Sequence, residues 1–180
     1  MHELLNRSAT EIARAIRDRE VSSEEITRAA LERINEVNPK LNAVVVLAHD
    51  RALDEARARD AETARRESKG PLHGVPITLK DSHDTEGIVT TGGTTGRAGK
   101  TPEADSPPVA RLRGAGAVVL GKTNTPEFTM SFITENLVHG KTNNPYDITR
   151  TPGGSSGGAA AIVAACGAFL ELGSDLGGSV

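Results

Sequence analysis

The sequence has no tryptophan, one tyrosine and three phenylalanines, so any core must be assembled from valine, isoleucine, leucine and alanine. Its one cysteine, Cys166, excludes an internal disulfide, and the Ala-rich run around it reads as small core filler rather than a thiol nucleophile. No apolar run approaches the length of a membrane span, and the N-terminal MHELLNRSATEIARA lacks the apolar stretch of a secretion signal. The expectation is a soluble, cytoplasmic protein with no membrane partner. An excess of basic charge is missing too. Lys and Arg number 21 against 24 Asp and Glu, a net charge of −3, and Arg51, Arg57, Arg59, Arg65 and Arg66 are interleaved with acids. A nucleic-acid partner would need a basic face, so none is expected. His83, between Asp81 and Asp84, has no companion cluster at ligand spacing, and no metal is expected.

What is present is an ordinary globular composition over 180 residues, 37% hydrophobic and 25% charged, enough for one domain with a real core. The first part, residues 1–69, reads as helical. Ser8 with Glu11 and Ser22 with Glu25 each fit a capping box, and Ile26, Ala30, Ile34 and Val37 then form one apolar face. Asn38 and Pro39 are expected to end that helix, and a highly charged helix follows from about His49 to Arg66. From Gly70 the texture changes. Val75, Ile77 and Leu79 suggest a strand ending near Lys80, and a Gly- and Thr-rich loop follows it. SPPVARLRGAGAVVLGKT reads as a short helix, a glycine break and a buried strand over Ala117–Leu120. A short helix is expected between Pro126 and Phe132, and a long irregular connection from His139 to Gly154. GGAAAIVAAC reads as a helix opening at glycines, and FLELGSD as a last strand. Helices alternating with strands define an α/β class, with residues 70–180 as the start of its core and no linker between domains.

Two short motifs fit their patterns but not the chemistry. Gly116–Thr123, GAVVLGKT, matches the phosphate-loop pattern, yet its four central residues are the strand itself and a turn, not a helix, follows. Gly153, Ser155 and Gly157 match G-x-S-x-G, the nucleophile elbow of α/β-hydrolases. That elbow needs its histidine downstream, and all five histidines (His2, His49, His73, His83 and His139) precede Ser155.

What remains is GVPITLKD with Lys80, PGGSSGG with Ser155 and Ser156, and GSDLGGSV with Ser179, twenty-four positions after Ser155. Together with GKTNTPEF and TENLVHGKTNNPYD, these resemble the amidase signature family, serine hydrolases with a Ser–Ser–Lys triad, along nearly the whole chain. The resemblance implies a mixed β-sheet flanked by helices. It implies Ser179 as nucleophile, Ser155 as the bridging serine after a cis peptide bond, and Lys80 as general base. A serine hydroxyl needs such a base, and a lysine can act only when neutral. Leu176, Gly177 and Gly178 match the segment whose backbone amides form the oxyanion hole, with Asp175 holding that loop. Ser156 belongs to the surrounding network, and Thr129–Ser131 are expected near the substrate mouth.

The activity implied is hydrolysis of a small-molecule carboxylic amide to acid and ammonia or amine, with no metal or organic cofactor. The alternatives are the glutamine-hydrolysing A subunit of a tRNA-dependent amidotransferase, and a catalytically inactive truncated fragment. TTGGTTG after Lys80, and NTPEF rather than an NMDEF-like stretch, favour the free-standing enzyme. A homodimer or a place in a larger complex is compatible with either activity. Ser174 stands where the family often has threonine. Members of the family are considerably longer, so a truncated N-terminal portion is expected.

Overall fold

The structure, a computed structural model, describes residues 2–180. Its N-terminal part is built by the two capping boxes. Helix α1 (His2–Leu5) leads into α2 (Ala9–Arg17) and α3 (Ser23–Leu41). Ser8 and Ser22 accept from the amides of Glu11 and Glu25, and both glutamates reach back to the cap amides, at 2.7 and 2.8 Å. Helix α3 runs past Asn38 and Pro39, where the sequence suggested a stop. Its last turn is retained because Leu41 is buried and Asn42, in left-handed conformation, closes the helix by donating to Asn38 O. The Asn38 side chain receives the amides of Ala43 and Val44, so it caps the turn after the helix rather than ending the helix itself.

Strand β1 (Val44–Leu47) follows at once, and α4 (His49–Ala64) carries the charged segment. Then come β2 (Pro76–Lys80), α5 (Pro107–Gly114) and β3 (Val118–Thr123). The short hairpin β4 (Glu135–Asn136) and β5 (Gly140–Lys141) precedes α6 (Gly157–Ala164) and β6 (Leu170–Leu172). The main sheet has the order β1-β3-β2-β6, with β1 antiparallel to β3 and the other pairs parallel. This is the mixed, helix-flanked sheet that the resemblance implies.

A register irregularity between Ile77 and Thr78 decides which side chains meet. On one face Ile77, Leu79 and Val119 pack with Ile12, Ile16 and Ile26. On the other, Val118 and Leu120 pack with Leu31, Ile34, Ala161 and Ile162. Small residues let the layers close. A Cβ on Gly121 would lie 2.2 Å from Val46 O, so β1 can pair with β3 only because that position is glycine.

Three further departures from the sequence expectations have local causes. Residues 1–69 are not purely helical, since β1 belongs to the sheet. Gly121, Lys122 and Thr123 lie within β3, which extends the expected strand and leaves no loop to wrap a phosphate. Between Pro126 and Phe132 there is a single 3₁₀ turn, Glu127–Thr129, because Phe128 and Thr129 adopt positive φ. Cys166 is partly buried against the core as expected, also with positive φ, and its Sγ lies 3.3 Å from Asn6 Oδ1.

Candidate active site

Lys80 is the last residue of β2, and Thr78 and Lys80 point to the face covered by α6, opposite Ile77 and Leu79. The chain entering α6 passes through Gly154 and Ser155, joined by a cis peptide bond, and the consecutive hydroxyls of Ser155 and Ser156 lie at the end of β2. Small residues permit this approach. A Cβ on Gly158 would lie 2.4 Å from Asn124 N, and one on Gly157 would lie 2.2 Å from Thr134 Oγ1.

Lys80 has no exposed surface, and its Nζ donates to Ser155 Oγ at 2.7 Å, Ser156 Oγ at 2.9 Å and Ser174 Oγ at 2.9 Å. Ser174 O lies at 3.3 Å. Burial pulls the amine down from its ordinary 10.5 to about 8, against the charges of Glu171 and Asp175. Such a lysine is still mostly protonated at neutral pH, but its neutral form is far more accessible than that of an ordinary lysine, and it stays bonded to a hydroxyl. Ser155 is itself buried, its carbonyl receiving Thr125 Oγ1 at 3.0 Å.

Ser179 sits at the rim of the same assembly. Its carbonyl accepts from Ser156 N at 3.0 Å, and it lines a cleft of about 590 Å³ with Phe132, Pro152, Val163, Phe169 and Glu171. Among the described residues no hydrogen bond joins Ser155 Oγ to Ser179 Oγ, so the structure unites Lys80 with Ser155 and leaves Ser179 beside them. The expected oxyanion segment is exposed, and its amides turn inward on Asp175. Gly178 N donates to Asp175 Oδ1 at 2.6 Å and Val180 N to Oδ2 at 3.1 Å. These backbone donors hold the Asp175 carboxyl below the usual carboxylate range. The loop is thus an anion-binding nest whose occupant here is its own aspartate. Leu176 is fully exposed, and Thr129–Ser131 lie outside the cleft lining, where Phe132 takes the place expected of them.

Of the lysine's other partners, Ser156 lies in the surrounding network expected of it, whereas Ser174 carried little sequence signal. Ser156 and Ser174 each accept from Nζ at 2.9 Å, and Ser156 Oγ also donates to Ser174 O at 3.2 Å. A GSD triplet ahead of GGS marks a turn, but nothing in it says that the hydroxyl faces a buried amine. A second lysine, Lys122, is equally buried and bonds Thr85 and Thr90 at 2.9 and 3.1 Å and the carbonyl of His83. Burial lowers it to about 8 as well.

The helix-flanked mixed sheet thus buries the Lys80 amine, lowered to about 8, against paired, glycine-embedded serines. Residues 25–180 match the Amidase family, and the chain belongs to that family. It is 50% identical over its full length to the A subunit of glutamyl-tRNA(Gln) amidotransferase from Acidothermus cellulolyticus. To the corresponding protein of Moorella thermoacetica it is 48% identical over 99% of its length. It spans 36% and 37% of those two proteins, about a third of the curated relatives it matches. Among solved structures it superposes on a fatty acid amide hydrolase with a TM-score of 0.95 and 33% identity, covering 99% of this chain and 32% of that one. Against the peptide amidase of Stenotrophomonas maltophilia the TM-score is 0.87 with 38% identity, covering 92% and 35%. No helix among the described residues is long and apolar enough to cross a membrane.

Proposed function

We propose that the protein carrying this chain hydrolyses a carboxamide through an acyl-enzyme on Ser179. The observation that carries this reading is the buried amine of Lys80, held toward neutrality 2.7 Å from Ser155 Oγ. Neutral Lys80 takes the proton of Ser155 Oγ, which takes that of Ser179 Oγ, since a hydroxyl both donates and accepts. Ser179 Oγ then bonds to the amide carbon, and the carbonyl oxygen gains the negative charge. The amides of Leu176, Gly177, Gly178 and Ser179 can stabilise that oxyanion once they turn from Asp175 toward the nucleophile. Collapse breaks the C–N bond, the proton returns along the relay to the leaving nitrogen, and water releases the acid from the ester. For Ser155 to bridge Lys80 and Ser179, Ser179 must swing into hydrogen-bonding reach during the reaction.

Curated relatives near 50% identity support glutamine as the amide and a role as the A subunit of an amidotransferase, the alternative reading of the sequence. TTGGTTG and NTPEF supported a free-standing amidase instead, and the similarity to a fatty acid amide hydrolase and a peptide amidase sustains that second reading. Ammonia release decides between them. Release from glutamine that requires partner subunits is the expected result; release from simple aliphatic or aromatic amides by the protein alone establishes the free-standing enzyme. If neither releases ammonia, hydrolysis itself is refuted.

A further inference from the structure

The sheet beneath Lys80 holds a carboxyl that the relay does not use. Glu171 is the middle residue of β6 and pairs across the sheet with Thr78 of β2. Its Oε1 nevertheless accepts from Thr123 Oγ1 of β3 at 2.7 Å. Because β2 lies between β6 and β3, the Glu171 side chain must cross β2 on the face from which Lys80 emerges. Thr123 is moreover the cross-strand partner of Lys80, so the carboxyl ends beside the base of the lysine side chain. The other oxygen, Oε2, is buried with no partner in hydrogen-bonding geometry. Glu171 also lines the cleft shared with Ser179.

With Oε2 meeting no donor in full hydrogen-bonding geometry and the Thr78 hydroxyl only nearby, the carboxyl is stabilised by a proton or by a neighbouring cation. Burial pushes Glu171 up to about 7, opposed by the threonine hydroxyls beside it and by the charges of Lys122 and Lys80. The charged and titratable groups around the pair are few. They are Lys80 and the nearby His83 from β2 and its loop, Lys122 from β3, and Asp175 from the loop after β6. Helix α6 contributes none, its sequence being GGAAAIVA, and the buried residues of α3 are all uncharged.

We propose that Glu171 is a positioning residue for Lys80, a carboxylate laid across β2 that sets the pH at which the lysine gives up its proton. The proposal rests on Lys80 as the general base. Ionised Glu171 stabilises the ammonium form and so delays formation of the base; neutral Glu171 releases that hold. The pair thereby matches the lysine to a working pH instead of leaving burial alone to fix it.

The test is the titration of Lys80, followed by NMR of its labelled side chain, in the parent, Glu171→Gln and Thr123→Val proteins. In Glu171→Gln the Lys80 midpoint falls by half a pH unit or more. In Thr123→Val the Glu171 midpoint rises, because its ionised form loses a hydrogen bond, and the Lys80 midpoint falls with it. An unmoved Lys80 midpoint overturns the proposal, and Thr123→Val alone decides if Glu171→Gln does not fold. Fluorophosphonate labelling of Ser179 against pH is the second readout. Its half-maximal point moves to lower pH with the Lys80 midpoint, whereas a lysine midpoint that shifts without the labelling profile also overturns the positioning role. A parent protein that is not labelled at any pH refutes the proposed hydrolysis. Lys80 is then no general base, and the positioning role falls with it. A lysine midpoint that holds still in the variants of a labelled protein removes Glu171 alone.

Discussion

Replacing Lys80 by methionine separates the cost of burying the amine from the value of its hydrogen bonds. A lysine held at about 8 instead of 10.5 opposes folding by about 3 kcal/mol at neutral pH, using 1.36 kcal/mol per pH unit. Methionine removes that penalty but leaves Ser155, Ser156 and Ser174 without their donor. At roughly 1 kcal/mol for each lost bond, the two effects nearly cancel at pH 7. They do not cancel in alkali. Between pH 8 and 10.5 the unfolded chain still holds the Lys80 proton while the folded chain has lost it, so the parent gains stability as pH rises. Lys122 adds a parallel gain that both proteins keep. The methionine variant should therefore match the parent at pH 7 and fall behind it by about 3 kcal/mol at pH 10.5. Urea unfolding at about pH 7, 8, 9 and 10 measures the difference. A gap that stays constant across that range refutes a depressed lysine.

Other expectations follow from single contacts. Gly158→Ala places a Cβ 2.4 Å from Asn124 N, a backbone atom that cannot swing aside, and should destabilise the fold by about 1–3 kcal/mol in the same unfolding assay. Ser22→Ala removes one half of a capping box and should cost about 1 kcal/mol without altering acylation by a fluorophosphonate probe. Asp175→Ala releases the amides of Gly178 and Val180. It should not slow that acylation, because the proposed oxyanion donors no longer have to leave the carboxylate, and it should lower the stability measured in the unfolding assay. Markedly slower acylation contradicts a nest that opens.

Much of the fold could be read because its signals are local. Each capping box contains its own partners three residues apart, so Ser8–Glu11 and Ser22–Glu25 marked their helices directly. Strand β1 carries no such signal. Val44–Leu47 is a four-residue apolar run between two helices, and only pairing with β3, permitted by Gly121, makes it a strand. Pro39 illustrates the opposite failure, where burial of Leu41 and the left-handed Asn42 carried the helix beyond a residue that usually ends one. At the site, Lys80 and Ser155 were placed by resemblance, and the structure brings them within 2.7 Å. Ser174 and Glu171 were not placed, because their roles depend on which strand lies between them and the lysine. That order, β3-β2-β6, joins residues far apart in the chain, and no spacing in the sequence encodes it.

Activation of Ser179 by Lys80 through Ser155 stands or falls on one labelling experiment. The protein is treated with a fluorophosphonate probe and the adduct is mapped by peptide mass spectrometry, alongside Lys80→Ala and Ser155→Ala variants shown to be folded by circular dichroism. A single adduct on Ser179 in the parent, lost in both variants, is the expected result. An adduct on another residue, or labelling of Ser179 that persists at the parent rate in folded Lys80→Ala, contradicts the relay.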